Sequence, residues 1–341
     1  MHVVATAGHV DHGKSTLVHA LTGMEPDRWA DERRRGLTID LGYVWTTLPG
    51  AGQVAFVDVP GHRRFIGNML AGLGPVPAVL FVVAADEGWR AQSEEHLAAV
   101  DALGITHGLL AVTRSDLADP GPTVAQARER ISSSSLGDVP AVAVSAVTGQ
   151  GLEQLRAELT RLCEALPTPR RSGRVRLWVD RSFTVRGSGT VVTGTLGAGT
   201  VRVGDRLELH AHDGRRRELS VRGIQSLGRA EDSVEAVARV ALNLRGIGPD
   251  EVRRGDPLLT PEGWRTTAQV DVRTTGPASD LPQHLTVHVG TAALQARARP
   301  LDGDLARLTL ERAVPLEAGD RAILRDPGAD GLIVGATVLD A

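Results

Sequence analysis

The chain has 341 residues, a net charge of −3, 42% hydrophobic residues and 23% charged residues. These values are ordinary for a globular protein of two or three domains, and they exclude a global basic field, so any contact with RNA must come from local patches. A single cysteine, Cys163, excludes an intramolecular disulfide and favours a cytoplasmic protein. The longest apolar run, 78–85, is too short to span a bilayer, and no signal-peptide pattern is present, so no membrane association is expected.

Up to about residue 168, short apolar segments alternate with segments of helical periodicity. The predicted strands are VVATA, QVAFVDV, AVLFVVAA, GLLAVT and AVAVSA, which are short, rich in β-branched residues and flanked by Gly, Pro or Asp. The predicted helices are KSTLVHALTG, AQSEEHLAAVDALG and GLEQLRAELTRLCEAL. This alternation predicts an α/β domain with a mostly parallel sheet that is covered on both faces.

The character of the sequence changes at LPTPRRSGR, where two prolines and a basic cluster indicate a linker between residues 167 and 173. Beyond it, short strands separated by Gly and Asp turns are typical of β-barrels or sandwiches, with a second break near RRGDPLLTPEGW. The predicted domains are 1–168, 173–260 and 264–341. The predicted fold class is an α/β domain followed by two small antiparallel β-barrel domains.

Residues 8–15, GHVDHGKS, match the P-loop pattern GxxxxGK[ST], and they lie between a predicted strand and a predicted helix, as a P-loop requires. The glycines let backbone N–H groups face phosphate oxygens, and the helix N-terminus adds positive potential. Lys14 is predicted to reach the β- and γ-phosphates and Ser15 to bind Mg²⁺. The nucleotide-binding residues predicted from this motif are Gly8, His9, Val10, Asp11, His12, Gly13, Lys14, Ser15 and Thr16.

Three later segments favour GTP over ATP, and each follows a predicted strand. In DVPGH, Asp58 is predicted to hold Mg²⁺ through water and the Gly61 N–H to sense the γ-phosphate. In TRSD, the carboxylate of Asp116 can accept two hydrogen bonds from guanine that adenine cannot supply. In the third segment, a backbone N–H at Ser145-Ala146 is predicted to meet the guanine carbonyl. Upstream, the polar stretch that contains RGLT (35–38) suits a mobile switch whose Thr38 completes the Mg²⁺ shell.

The segments GHVDHGKS, RGLTID and DVPGH resemble the translational GTPases of the elongation-factor-Tu-like group. The guanine motif departs from the usual NKxD at Thr113 and Arg114. Lys14 is the only lysine among 38 cationic residues, so an arginine at 114 fits the composition of the chain, and a guanidinium plane can stack on a base. The resemblance implies that His62 positions the attacking water or stabilises the transition state, and that the ribosome activates hydrolysis.

A sharper resemblance, over the whole chain, is to the selenocysteine-specific elongation factors. It rests on ATAGHVDHGKSTL, DRWADERRRGLTIDLGY, DVPGHRRFIGNMLAG and WVDRSFTVRGSGTVVTGT. It implies that Asp180, Arg181 and Arg239 line an aminoacyl pocket, that the cofactors are GTP/GDP and Mg²⁺, and that the partners are selenocysteinyl-tRNA and the ribosome. Arginines suit this cargo because a selenol is more acidic than a thiol, so selenocysteine is largely anionic at neutral pH.

Members of this family usually continue into winged-helix modules that read an mRNA hairpin, whereas this chain ends at GLIVGATVLDA, which favours a fragment or a truncated chain without the hairpin reader. Two other functions stay open: another elongation-factor-Tu-like GTPase, or a nucleotide-gated binding module without productive tRNA delivery. Without the resemblance, Asp180 and Arg181 would be interpreted as an ordinary surface pair. The arginines at 170–176, 215–217 and 253–254 either contact tRNA phosphates or lie in solvated loops.

Overall fold

The structure, a computed structural model, describes residues 1–26, 38–74, 76–187, 189–326, 328 and 333–341. Three residues of the predicted switch, Arg35, Gly36 and Leu37, lie outside this set. The chain divides into two compact units, Met1–Pro167 and Thr168–Ala341. Among the described helices, none is both long enough and apolar enough to cross a membrane.

The first unit is built on a six-stranded sheet in the order β2-β3-β1-β4-β5-β6. Its strands are β1 (His2–Ala7), β2 (Gly42–Leu48), β3 (Gly52–Asp58), β4 (Ala78–Ala84), β5 (His107–Thr113) and β6 (Ala141–Ala143). All pairings are parallel except that of β2 with β3. Strand β2 was not predicted from the sequence, because the polar residues Thr46 and Thr47 interrupt its apolar run.

Helices cover both faces of this sheet, which explains why β4 is buried at every position. The described helices are α1 (Lys14–Thr22), α2 (Ile66–Leu73), α3 (Ala91–Ala102), α4 (Gly121–Ser132) and α5 (Leu152–Ala165). Apolar residues of α1 and α5 form one core with alternate sheet residues such as Val4, Leu80 and Leu109. Helices α3 and α4 contact β1 and β4. The strand order reverses at β1, because β3 lies on one side of it and β4 on the other. The loops that follow β1, β3 and β4 therefore lie together at the carboxyl ends of the strands, where such sheets usually bind their ligands.

The second unit contains two six-stranded antiparallel barrels. In the first barrel the ring order is β10-β15-β7-β8-β14-β11, and pairing of β10 with β11 closes it. Its strands and short flanking strands are β7 (Arg176–Val185), β8 (Gly189–Leu196), β9 (Thr200–Arg202), β10 (Arg206–His210), β11 (Arg216–Ser226), β12 (Arg229–Glu231), β13 (Ser233–Glu235), β14 (Ala238–Arg245) and β15 (Pro257–Leu259).

The second barrel closes in the order β16-β19-β18-β17-β20-β21. Its strands are β16 (Thr267–Thr274), β17 (His284–Val289), β18 (Ala292–Pro300), β19 (Leu305–Val314), β20 (Arg321–Arg325) and β21 (Ile333–Asp340). Burial alternates along β17 and β18, as expected for strands with one face in a barrel core. The predicted fold class, an α/β domain followed by two antiparallel β-barrels, is confirmed.

His288 on β17 gives the second barrel an acid-sensitive position. Burial, followed by the nearby charge of Arg325, lowers the pKa of His288 to about 4 from the model-compound value of 6.5. As the pH falls from 6.5 towards 4, the unfolded chain takes up this proton before the native chain does. The free energy of unfolding therefore falls, by up to about 3 kcal/mol. Urea unfolding of wild type and His288→Gln near pH 7 and near pH 5 tests this; equal acid sensitivity in both would contradict it.

Candidate functional site

The loop between β1 and α1 has the backbone of a phosphate-binding loop. Gly8 has φ 131°, and a Cβ there would lie 2.1 Å from the carbonyl oxygen of Val82, so only glycine fits. Gly13 at the start of α1 has φ 81°. Asp11, which has φ 63°, and Thr16 are both exposed. The sequence therefore folds here into a tight turn that places backbone N–H groups at a helix N-terminus.

Three oxygen-bearing side chains from separate segments converge beside this loop. The Ser15 hydroxyl donates to Asp58 Oδ2 at 2.6 Å, and its oxygen lies 2.9 Å from Thr38 Oγ1. Asp58 is fully buried, and its other oxygen accepts a 2.8 Å hydrogen bond from Thr6. Two hydroxyls and a carboxylate form the hard oxygen set that Mg²⁺ prefers. The structure thus brings together the three residues that the sequence predicted as metal ligands, and it adds Thr6 as a support.

Lys14 is buried inside the loop. Its Nζ donates to the carbonyl oxygens of Gly8 at 3.0 Å and His9 at 2.6 Å. Burial lowers the pKa of Lys14 to about 8, against the opposing charges of Asp58 and Asp11. A Cβ at Gly61 would lie 2.6 Å from this Nζ, so the loop after β3 packs directly on the P-loop. Lys14 and Gly61, which were both predicted to contact the γ-phosphate, are therefore neighbours.

Two side chains of α3 hold the P-loop from behind. Nδ1 of His96 accepts the Gly8 N–H at 3.1 Å, and Oε1 of Gln92 accepts the Val10 N–H at 3.0 Å. Burial, with the charges of Lys14 and His9, keeps the pKa of His96 well below its usual value, so the ring is neutral and can accept. Neither Gln92 nor His96 was predicted from the sequence. The available signal was their four-residue spacing, which places them on the same face of a predicted helix.

The two P-loop histidines contact each other, with ring centroids 4.9 Å apart. His12 is fully buried, and burial, followed by the charges of His9 and Lys14, lowers its pKa to about 3. Burial and the charge of Lys14 also lower the pKa of His9. Both rings are therefore uncharged at neutral pH, and they contribute to the site by packing while their backbones shape the loop.

The predicted guanine segment is tied to the P-loop by both of its unusual residues. The Thr113 hydroxyl donates to the His12 carbonyl at 2.7 Å, and the Arg114 guanidinium donates to the Asp11 carbonyl. Asp86 and Glu87 hold the same guanidinium at 3.1 and 2.9 Å. The departures from NKxD thus keep a hydroxyl and a cation in contact with the P-loop.

Asp116 is exposed at the turn after Thr113, and Ser145 is buried after β6. The Ser115 N–H donates to the Val144 carbonyl at 3.2 Å, which joins the two turns, and the Ser145 N–H donates to the Gln150 carbonyl at 3.0 Å. Ala146 follows, half-buried, beside this junction. The carboxylate that was predicted to select guanine and the predicted carbonyl-binding loop therefore lie side by side.

His62 lies in the loop that follows β3, just before a short 3₁₀ turn (Arg63–Phe65). Its Nδ1 accepts the Arg64 N–H at 3.2 Å, and its ring centroid is 6.0 Å from that of Phe65. A neutral ring that accepts at Nδ1 carries its proton on Nε2. In this tautomer Nε2 is a hydrogen-bond donor, which suits placing a water molecule or stabilising negative charge.

The first barrel contains a buried ion pair. Both carboxylate oxygens of Asp180 accept from the Arg239 guanidinium, and the Thr193 hydroxyl donates to Oδ1 at 2.5 Å. Burial alone would raise the pKa of Asp180, but the charge and hydrogen bonds of Arg239, together with Thr193 and Arg181, hold it below its usual range. The predicted pocket residues are therefore together, and the carboxylate is ionised.

A β-bulge positions this ion pair. The register of β7 against β8 shifts between Val179 and Arg181, so Asp180 is the extra residue. Bulges redirect side chains and recur next to functional sites. Arg254 Nε also donates to the Asp180 carbonyl at 2.9 Å. Thr193 and Arg254 were not predicted as pocket residues. Thr193 reaches the bulge only when β8 pairs with β7, and Arg254 lies in a turn 74 residues from Asp180 along the chain.

The arginine-rich stretches mostly form ion pairs within the unit. Arg176 makes a two-pronged contact with Asp320, and Arg174 contacts Glu317. Both guanidiniums lie over the ring of Trp264, at 4.6 and 4.4 Å from its centroid. The stretch at 215–217 contacts Asp213, Glu251 and Thr266. These contacts favour a structural role for Arg174 and Arg176.

Comparison with known protein families matches three parts of the chain. Residues 1–165 match the elongation factor Tu GTP-binding domain, and residues 189–259 match elongation factor Tu domain 2. Residues 267–341 match the β-barrel domain of the selenocysteine-specific elongation factor.

The similar whole proteins are selenocysteine-specific elongation factors and elongation factor Tu, in agreement with the domain matches. The chain is 37% identical to a selenocysteine-specific elongation factor of Escherichia coli over 99% of its own length and 55% of that protein. It is 31% identical to elongation factor Tu 2 of Streptomyces avermitilis, over 95% of its own length and 93% of that protein. A crystal structure of a bacterial selenocysteine-specific elongation factor superposes with a TM-score of 0.90 at 32% identity, over 99% of this chain and 58% of that one.

The chain thus spans about half the length of the selenocysteine-specific relatives that it matches, and nearly all of elongation factor Tu. The order of matched domains agrees with the observed α/β domain followed by two barrels. The chain therefore belongs to the elongation-factor-Tu-like translational GTPases, in the branch of the selenocysteine-specific elongation factors.

Proposed function

We propose that this chain is the GTP-dependent carrier part of a translation elongation factor. It binds selenocysteinyl-tRNA in the cytoplasm, delivers it to the ribosome for UGA recoding, and hydrolyses GTP to GDP and phosphate. The observation that carries the proposal is the buried Asp180–Arg239 pair on a bulge beside Arg181 in the first barrel. The names of the relatives support the same assignment.

The nucleotide is proposed to bind along the P-loop, Gly8 to Thr16. Backbone N–H groups and Lys14 would contact the β- and γ-phosphates, and the Gly61 N–H would contact the γ-phosphate. Asp116 would accept two hydrogen bonds from guanine, and the Ala146 N–H would donate to its carbonyl. Thr113, Arg114 and Ser145 would hold these groups on the P-loop and next to each other.

Mg²⁺ fits the oxygen cluster of the first unit, where Ser15, Thr38 and Asp58 would hold it. When bound, it neutralises charge on the phosphates. Asp58 is preset for this role because Thr6 fixes one oxygen and leaves the other towards Ser15. A carboxylate that two hydroxyls already hold in place loses little conformational entropy when it binds a cation.

His62 is proposed to act on the attacking water through its Nε2–H. We expect His62→Ala to lower the rate of ribosome-stimulated GTP hydrolysis by about 100-fold, the usual scale for losing a group of this kind. The affinity for GTP should stay within about twofold, because the described contacts of His62 are to Arg64 and Phe65 rather than to the P-loop. Single-turnover hydrolysis and nucleotide titration measure the two quantities. Equal loss of binding and turnover would contradict the assigned role.

The aminoacyl pocket is proposed to distinguish cargo by charge. The Asp180–Arg239 pair is neutral as a unit, so Arg181 and Arg254 add positive charge at the bulge. This positive charge stabilises a bound selenolate, whereas a seryl hydroxyl is neutral and gains no such electrostatic stabilisation. The pocket would therefore favour selenocysteine over the seryl precursor on the same tRNA.

The experiment compares protection of the aminoacyl ester for selenocysteinyl-tRNA and its seryl precursor. Protection of the selenocysteinyl ester alone, and only with GTP, supports the carrier function. Hydrolysis of both esters at the unprotected rate, with GTP still bound, would leave a translational GTPase of another cargo. Strong protection without ribosome-stimulated turnover would indicate a binding module without productive delivery.

The domain division that belongs to this function is 1–168 for GTP binding, 173–260 for the aminoacyl pocket and 264–341 for tRNA contact. Its support is the two-unit division at Pro167 together with two separately closed barrels. Limited proteolysis should cut first in the 167–173 segment, because the segment is mostly exposed and has no regular secondary structure.

A further inference from the structure

The two barrels of the second unit meet directly behind the aminoacyl pocket. Trp178 belongs to β7 of the first barrel, yet its indole is buried in the apolar core of the second barrel with Leu285 and Val289. The turn between β17 and β18 closes over it. A Cβ at Gly290 in this turn would lie 2.3 Å from the indole, so only glycine lets the turn sit on the ring.

The next residue of that turn reaches the backbone of β7. Thr291 is buried, and its hydroxyl donates to the Val179 carbonyl at 2.5 Å. The Gly255 N–H donates to the same carbonyl at 2.9 Å, and the Val179 N–H donates to the Asp256 carbonyl at 3.0 Å. The peptide groups on both sides of Val179 are therefore fixed, one of them by a side chain of the other barrel.

The Gly255 peptide is itself held by the second barrel. Arg312 on β19 donates to the Gly255 carbonyl at 2.9 Å, and a Cβ at Gly255 would lie 2.8 Å from Cα of Ala292. Residues 254–256 thus lie between β7 and the second barrel. Arg254, which donates to the Asp180 carbonyl, is the first residue of this segment.

These contacts end where the bulge begins. Val179 is the last residue in regular register before the shift, and Asp180 follows it. The direction of the Asp180 side chain depends on the peptide between these two residues, and that peptide includes the carbonyl that Thr291 binds. A change of a few tenths of an ångström there moves the carboxylate and, through it, the Arg239 guanidinium.

We propose that Thr291 is a positioning residue for the aminoacyl pocket, and that the Gly290–Thr291 turn of the second barrel sets the orientation of Asp180 and Arg239. The inference rests on the proposed carrier function and deepens it, because it names a specificity-determining residue outside the first barrel. Thr291 does not touch the aminoacyl group; it acts through Val179.

The test uses two variants of the full chain, Thr291→Val and Thr291→Ser. Valine keeps the shape and removes the hydroxyl, whereas serine keeps the hydroxyl. Val179 retains its hydrogen bond from Gly255 in both, so neither variant leaves a buried carbonyl without a donor. We expect Thr291→Val to reduce the selenocysteinyl-to-seryl ratio of ester protection by about fivefold, the scale of one buried hydrogen bond. Thr291→Ser should keep the ratio, and GTP affinity should be the same in all three proteins.

Hydrogen exchange supplies a readout that does not depend on cargo. The peptide covering 177–182 should exchange about fivefold faster in Thr291→Val than in wild type or Thr291→Ser. An unchanged protection ratio in a selective wild type would overturn the positioning role while the carrier function stands. If wild type shows no selectivity, the carrier function fails, and equal exchange in Thr291→Val and wild type would then overturn the positioning role as well.

Discussion

Replacing Arg239 with methionine is expected to destabilise the first barrel by about 3–5 kcal/mol, the usual cost of removing one partner of a buried ion pair. The cost is large because Asp180 is almost fully buried, and its two oxygens would lose both guanidinium donors. Only the Thr193 hydroxyl among the described side chains would still donate to the carboxylate. Urea unfolding of wild type and variant measures the loss, and the seryl and selenocysteinyl esters should become equally unprotected.

A second variant separates the charge effect from the loss of packing. In Asp180→Asn/Arg239→Met the buried charge is gone, while the asparagine oxygen can still accept from Thr193. We expect the double variant to recover at least about half of the lost stability, because replacing both members of a buried pair is often close to neutral. It should protect the selenocysteinyl ester less well than wild type, because the Arg239 guanidinium is gone, although Arg181 and Arg254 still supply positive charge at the bulge. Equal instability of the single and double variants would show that packing by Arg239, rather than its charge, stabilises the barrel.

The nucleotide site could be predicted from sequence because its residues lie in short contiguous motifs. Gly8 to Ser15 form one turn after β1. Asp58 ends β3 and Asp116 follows β5, and the carboxyl ends of these strands lie at one edge of the sheet. The residues that support this site could not be found in the same way. Thr6, Gln92 and His96 act through hydrogen bonds that join residues 52 to 88 positions apart in the chain. The four-residue spacing of Gln92 and His96 places them on one helix face, but it does not by itself distinguish them from other polar residues of a helix.

In the β domains, too, contacts between distant parts of the chain could not be predicted from the sequence. Gly and Asp turns between short strands predict barrels, but strand order depends on pairings such as β7 with β15, which lie about 80 residues apart. The pocket residues Asp180, Arg181 and Arg239 were reached through a family resemblance. From residues alone, Asp180 and Arg181 would be interpreted as an ordinary surface pair, since the bulge that buries Asp180 exists only after β7 and β8 pair. Arg254 and Thr291 depend on contacts that form still later, between whole elements.

Lys14→Arg is expected to weaken GTP binding by at least about 100-fold, although the charge is unchanged. Nζ of Lys14 touches two carbonyl oxygens at 3.0 and 2.6 Å, and the loop at Gly61 closes over it. A planar guanidinium is wider than an ammonium and cannot fit that space without moving the P-loop. The only lysine of the chain therefore stands at a position where an arginine is expected not to fit. Fluorescent nucleotide titration measures the affinity.

Arg114→Lys is the matched control, because it replaces arginine with lysine, the reverse of Lys14→Arg, at a partly exposed position. A lysine there can keep the cation near Asp86 and Glu87 and one bond to the Asp11 carbonyl. We expect GTP affinity within about threefold of wild type, since exposed ion pairs contribute little. If Arg114→Lys weakens binding as much as Lys14→Arg, the guanidinium fork is itself part of the guanine site. If Lys14→Arg binds GTP normally, the P-loop can widen, and the single lysine needs another explanation.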